Sequence, residues 1–353
     1  MLKKHRSKAV TEGVTRTPHR AFLRATGLDD DDLDRSMVAI IGTAGDNTPC
    51  SKSLGPQADS VRLGVAQGGG VPVMMNTISV SDGTSMNHAG MRMSLVSREM
   101  IADSMEIAVR GHAYDALVGL GGCDKTLPGT LMAMARLNVP SVFIYGGSML
   151  PGYSPDGTEN TVLTAIEGVG RYQTGAISLE QLHGIERTCA MTVGSCPGQF
   201  TANTMGMVAE ALGLSFLGSS TTPAVYSQRH ALARRAGRRV MEILEHGGPL
   251  PRDLITRKSL ENATAAVAAT DPGPSPSSRR RRTRRRPCDR AGLALRSRAR
   301  SVGALASGRG WPGPAALPAN CYNARPDADR CCRCRPCQTA PSLPALYRAS
   351  AAR

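Results

Sequence analysis

Along the first 270 residues, short apolar runs alternate with glycine-rich loops and with segments whose apolar positions recur at helical spacing. SMVAIIG (36–42), GVPVMMN (70–76), DALVGL (115–120) and PSVFIYGG (140–147) are too short for buried helices and read as strands covered on both faces. AMTVG (190–194) reads as a further strand of the same kind. SLVSREMIADSMEIAVR (94–110) has apolar residues at helical spacing, with Gly111 placed as its C′ glycine. TLMAMARL (130–137) and TANTMGMVAEALGL (201–214) are the other clear helices. Strand, loop and helix in repetition predict an α/β fold with a mostly parallel sheet flanked by helices.

In such sheets, ligands gather beyond the carboxyl ends of the strands. Cys50, Asp82, Cys123, Asp124, Lys125 and Cys196 all lie on loops that follow an expected strand, so one sheet edge would collect all six. GGCDKTLPG (121–129) sets a soft ligand, a hard ligand and a cation side by side. Thiolates select zinc or iron–sulfur clusters, whereas carboxylates suit magnesium or manganese. Neighbouring Cys123 and Asp124 would then face two different metals. With only Cys50, Cys123 and Cys196 as protein ligands, a 2Fe–2S cluster keeps one iron position open for chemistry. A 4Fe–4S cluster with one open iron satisfies the same three cysteines. An ammonium at Lys125 repels a divalent ion, but a lysine carbamate would supply an anionic oxygen instead. Cys189, inside GIERTCAMTV, reads as a small buried hydrophobe.

The net charge of +15 suggests a polyanion partner until its location is considered. From Asp271 to Arg353 there are 18 Arg, 4 Asp and no Lys or Glu, so the first 270 residues are nearly neutral. No apolar run approaches the ~18 residues of a membrane span. The basic start MLKKHRSKAV has no apolar h-region, which argues against a secretory leader. Four scattered cysteines before residue 271 do not form a secreted disulfide framework. A reducing cytoplasm is the expected location, or an organelle if the source is eukaryotic.

TPC at 48–50, NTISVSDGTSMNHAGMRMSLVSRE from Asn76, GGCDKTLPGTLMAMARLNVPSVFIYGGSM from Gly121 and GSCPGQFTANTMGMVAEALGLSFLGSS from Gly194 resemble the dihydroxy-acid/phosphogluconate dehydratase family, its dihydroxy-acid branch above all. SKAVTEGVTRTPHRAFLRATGL near the start matches as well, and the resemblance runs from about Ser7 to about Ala269. It implies a hydro-lyase that dehydrates 2,3-dihydroxyisovalerate and 2,3-dihydroxy-3-methylvalerate to 2-keto acids in valine and isoleucine biosynthesis. It implies that Cys50, Cys123 and Cys196 hold a 2Fe–2S cluster, while Asp82, Asp124 and a carbamylated Lys125 hold Mg2+. It further implies a homodimer, and a C-terminal β-barrel-like domain whose serine acts as base and whose glutamate binds magnesium. No segment after Ala269 matches that domain, so no catalytic base is assigned here. Ser51 stands where the family usually has asparagine, and Pro197, Gln199 and Phe200 replace its usual glycine, methionine and tyrosine pattern.

Three segments result: an arm over 1–33, the α/β domain over 34–269, and an Arg/Pro/Ala-rich tail over 270–353. Beyond Thr270 there is no Lys, Glu, Ile, Met, Phe or His, a composition that builds no core and predicts disorder. A reading-frame shift near residue 270 would produce such a break. RRRRTRRR suggests nucleic acid but lacks interleaved aromatics, and CCRCRPC (331–337) lacks a second ligand pair at zinc-site spacing. The rival functions are a sugar-acid dehydratase, a non-catalytic metal-binding fragment and, from the tail alone, a basic nucleic-acid binder.

Overall fold

The computed structural model describes residues 5–270. The expectations for the arginine-rich tail, including RRRRTRRR and CCRCRPC, lie outside those residues. Along the chain run β1 (Met37–Gly42), α1 (Leu54–Gln67), β2 (Val71–Asn76), α2 (Met91–Gly111), β3 (Ala116–Gly121), α3 (Thr126–Leu137) and β4 (Ser141–Tyr145). Then come the short β5 (Gly152–Tyr153) and β6 (Glu159–Asn160), followed by α4 (Val162–Gln173), α5 (Leu179–Thr188), α6 (Thr201–Ala211), α7 (Gln228–His246) and α8 (Arg257–Thr270). The first four strands form one parallel sheet in the order β2-β1-β3-β4. The α/β class with a mostly parallel sheet is therefore what the chain adopts.

Every residue of β1, β3 and β4 is buried, which is why these strands read as unbroken apolar runs. Alternate side chains enter two separate cores. Met37, Ala39, Ile41, Leu117 and Phe143 pack under α2, α3, α6 and α8. Val38, Ile40, Val118, Val142 and Ile144 pack under α1 and α7. The latter two helices touch through glycine. A Cβ on Gly64 would sit 2.1 Å from the Arg234 carbonyl oxygen, and one on Gly237 would sit 2.4 Å from that of Val61.

Two local expectations need correction. Residues 190–194 form no strand. Gly194 (φ 127°) and Gly198 (φ 147°) turn the chain, and only Ser195 makes a single parallel bridge, to Ser148. Gly111 is the last residue of α2 rather than its C′ glycine, and the left-handed position falls on Ala113 (φ 56°). Among the described residues, no helix is long and apolar enough to cross a membrane.

The N-terminal arm is fastened by one carboxylate. Asp115, just before β3, accepts the backbone N–H groups of His5 (3.1 Å), Arg6 (2.6 Å) and Ser7 (3.0 Å) on one oxygen. Its other oxygen accepts the Ser7 hydroxyl (2.6 Å) and the Met37 N–H (2.9 Å) at the start of β1. Asp115 thus joins three parts of the chain, and its removal leaves buried donors unpaired. Asp115→Ala is expected to lower unfolding free energy by about 3 kcal/mol in urea titration, because charge-assisted bonds and orphaned donors both count.

Candidate metal centre

The strand order places a topological switch between β1 and β3, whose following connections leave in opposite directions. Cys50 follows β1, and Cys123 follows β3. Thr48 caps a single helical turn, Pro49–Lys52, by accepting the Ser51 N–H at 3.0 Å, which fixes the Cys50 backbone. Ser51, the departure from the expected asparagine, is buried within that turn. Across the switch, the Thr126 hydroxyl accepts the N–H groups of Gly122 (3.1 Å) and Cys123 (2.8 Å) and donates to the Cys123 carbonyl (2.9 Å). One threonine side chain therefore shapes the whole loop.

The third cysteine arrives on the chain after α5. Gly194 N–H donates to the Pro49 carbonyl (2.9 Å), Ser195 N–H to the Gly147 carbonyl (2.9 Å), and Met149 N–H to the Ser195 carbonyl (2.7 Å). The Ser195 hydroxyl donates to the Gly122 carbonyl. The three loops that carry the cysteines are thus laced together by main-chain bonds and by the Ser195 hydroxyl. Pro197, Gln199 and Phe200 lie just outside this lacing. Phe200 is the N-cap residue of α6, and the Gln199 amide reaches the Thr270 hydroxyl at 2.7 Å.

Cys50 and Cys123 are buried, and Cys196 is half-buried. The Cys50 thiol donates to Cys123, which together with burial pushes Cys50 far above its usual value. Cys123 is held low by that bond and by the N–H groups of Asp124 and Asp82, which face its sulfur. Burial, then the charge of Cys123, pushes Cys196 up. Asp82 opens a short turn (Asp82–Ser85) after β2 and accepts the Ser94 hydroxyl at 2.7 Å. Its other oxygen accepts the Lys125 ammonium at 2.7 Å, and Asp124 accepts the same ammonium. Burial is the largest influence on Lys125 and pulls it down, but Asp124 and Asp82 together outweigh it and hold it up.

All six expected site residues therefore lie together at the carboxyl edge of the sheet. Among the described residues, no three His, Cys, Asp or Glu side chains already close to the spacing of a single bound ion. The donors suit the proposed division, because hard oxygens flank Lys125 while sulfur dominates the other set. Cys189 lies elsewhere, against Ile177 and Ile185. Thr126, Ser195 and Ser94 escaped sequence reasoning, although a threonine three residues after Cys123 is a legible turn signal. Arg229 escaped it too. Wholly buried, it donates to the carbonyls of Tyr145 (2.8 Å), Ser219 (2.7 Å) and Thr222 (2.9 and 2.7 Å). Burial lowers its guanidinium to about 10.

The fold is thus a parallel α/β sheet that carries thiols, carboxylates and a lysine together at its switch point. The dihydroxy-acid/6-phosphogluconate dehydratase N-terminal family matches residues 35–273, and the chain belongs to that family of hydro-lyases. Dihydroxy-acid dehydratase 2 of Bordetella bronchiseptica is 68% identical over 269 residues, covering 76% of this chain and 47% of that protein. Dihydroxy-acid dehydratase 3 of Bradyrhizobium diazoefficiens is 56% identical over 269 residues, covering 76% and 46%. Dihydroxy-acid dehydratase of Dinoroseobacter shibae is 48% identical over 264 residues, covering 75% and 45%. The chain spans about half the length of these curated relatives.

The lacing yields a prediction. A Cβ on Gly122 would lie 2.3 Å from the Cys50 carbonyl oxygen, whereas one on Gly55 meets nothing within 4 Å. Gly122→Ala should cost about 2 kcal/mol in urea unfolding through overpacking, while Gly55→Ala in α1 should stabilise by up to about 1 kcal/mol.

Proposed function

We propose that residues 34–269 are the metal-binding part of a dihydroxy-acid dehydratase, acting on 2,3-dihydroxy carboxylates to give 2-keto acids. The observation that carries this reading is the placement of three thiols beside two carboxylates and a lysine at one sheet edge. The names of the relatives favour the dihydroxy acid over a sugar acid.

In this reading Cys50, Cys123 and Cys196 hold a 2Fe–2S cluster, and Asp82, Asp124 and carbamylated Lys125 hold Mg2+. Together these groups supply Lewis acidity toward the substrate carboxylate, its 2-hydroxyl and the departing 3-hydroxyl. The reaction removes the C2 proton and the 3-hydroxyl as water, and the resulting enol becomes the keto acid. Ser94 orients Asp82 so that one oxygen stays directed at Lys125. The N–H groups of Asp82 and Asp124 stabilise negative charge on the Cys123 sulfur, tying the hard-donor loops to the soft set. Burial of Cys50 and Cys123 limits water and oxygen at the sulfurs. The partners are a small 2,3-dihydroxy acid and, by family resemblance, a second copy of the chain, in a cytoplasmic setting.

Anaerobic reconstitution with iron and sulfide, followed by magnesium and 2,3-dihydroxyisovalerate, tests this reading. The parent chain is expected to bind about two irons, and Cys123→Ser to lose the visible absorption. Asp82→Asn should keep that absorption while losing magnesium binding. Unchanged iron uptake in Cys123→Ser, or unchanged magnesium binding in Asp82→Asn, would overturn the assignment. Keto acid formed by the parent and lost in Cys123→Ser would support the full activity.

A further inference from the structure

A helix that lies on a sheet is expected to bury one apolar stripe and turn polar residues to water. α2 has a second stripe. Its inner face, with Ile101, Ala102, Met105 and Val109, is buried in the core. Its outer face carries Met93, Val96, Met100 and Ile107, each more than half exposed. Met93, Met100 and Ile107 recur every seven residues and Val96 follows the first by three, so the four line one side of the helix. Contiguous apolar surface of this kind marks a docking face.

The stripe reaches the edge of the sheet. Ser104, one turn from both Met100 and Ile107, has its hydroxyl 2.6 Å from that of Thr77. Thr77 follows β2, the outermost strand on that side, and Ile78 beside it is exposed. The three acids of α2 are already compensated within the chain. Glu99 pairs with Arg98 (2.7 Å) and Arg136 (3.1 Å), Asp103 with Arg136 (2.6 Å), and Glu106 with Arg110 (2.8 Å). The face can therefore meet its like without stranding a negative charge.

The course of the chain favours one occupant. On this side of the sheet α2 packs on α3, α3 meets α6, and α6 packs on α8. α8 ends at Thr270, whose hydroxyl accepts the Gln199 amide near Cys196. The residues after Thr270 thus leave from the far end of this helix layer, away from α2. A second copy needs no further patch, because the stripe is its own complement. In an antiparallel pair about a twofold axis at Met100, Met93 of each copy meets Ile107 of the other, and Met100 meets its counterpart. Methionine, unbranched and polarisable, adapts readily to such a contact.

We propose that the outer stripe of α2, with the end of β2, is the surface on which two copies of this chain pair, helix against antiparallel helix. Family resemblance implies a homodimer but names no face for it. The assignment goes beyond the dehydratase reading and does not depend on any metal.

The test uses the full chain in high salt, which screens the arginines beyond residue 270. Light scattering should give the parent twice the 37.2 kDa of one chain. Met100→Lys combined with Ile107→Lys should return it to the mass of a single chain, since a twofold contact sets each lysine against another. Met100→Cys covers the case in which that variant fails to fold. A short bismaleimide should link Met100→Cys into dimers, while the parent and Ile166→Cys, exposed on α4, stay unlinked. A dimer that survives both lysines, or links equally through Ile166→Cys, would overturn the proposal. So would a monomeric parent. A Met100→Cys thiol that then resists alkylation would put residues beyond 270 on the stripe, and one that reacts freely would leave it to a different protein.

Discussion

The carboxyl end of this sheet depends on how closely two main-chain segments approach across the switch between β1 and β3. Gly122 presses against the carbonyl of Cys50 at a distance that leaves no room for a side chain. The Gly122 carbonyl is then free to accept the Ser195 hydroxyl, and Gly194 N–H reaches Pro49. The three cysteines are thus set by backbone contacts rather than by their own packing. Parallel pairing makes this arrangement available, because it sends every strand's carboxyl end to the same edge. The deep burial of β1 and β3 makes the edge rigid enough to hold it.

Electrostatics divides what the backbone assembles. Cys123 receives a thiol and two N–H groups, so it is the sulfur best prepared for negative charge. Lys125 lies between Asp82 and Asp124, where the two carboxylates more than offset the penalty of burying an ammonium. Arg229 spends its donors on the carbonyls of Tyr145 at the end of β4 and of Ser219 and Thr222 after α6, and its guanidinium lies against the Tyr145 ring. A cation so placed reinforces the turn at residues 216–224.

The strands were legible because burial on both faces leaves an unmistakable apolar run, as in MVAIIG and SVFIY. The gathering of Cys50, Asp82, Cys123, Asp124 and Lys125 was legible from loop position, since each follows a strand of the sheet, whereas Cys196 was placed with them on the strength of a strand at 190–194 that does not form. AMTVG misled because its apolar residues serve a looped approach to the site, where Gly194 and Gly198 prevent regular pairing. Gly111 misled because α2 runs through it, and Ala113, two residues beyond, takes the left-handed conformation a glycine usually takes. Arg229 was illegible because QRHALARRAGRR reads as a solvated basic helix, and only tertiary packing buries one arginine of the set.

The proposed reading places two adjacent but separate metal positions, one of soft and one of hard donors, at one sheet edge. Electron paramagnetic resonance of the reduced cluster, with Mn2+ replacing magnesium, tests this most directly. Adjacent sites predict that Mn2+ broadens the cluster signal and speeds its relaxation, and that Asp82→Asn removes the effect without removing the cluster. A cluster signal left unperturbed while Mn2+ is bound would contradict the account, since the two metals would then occupy distant parts of the chain.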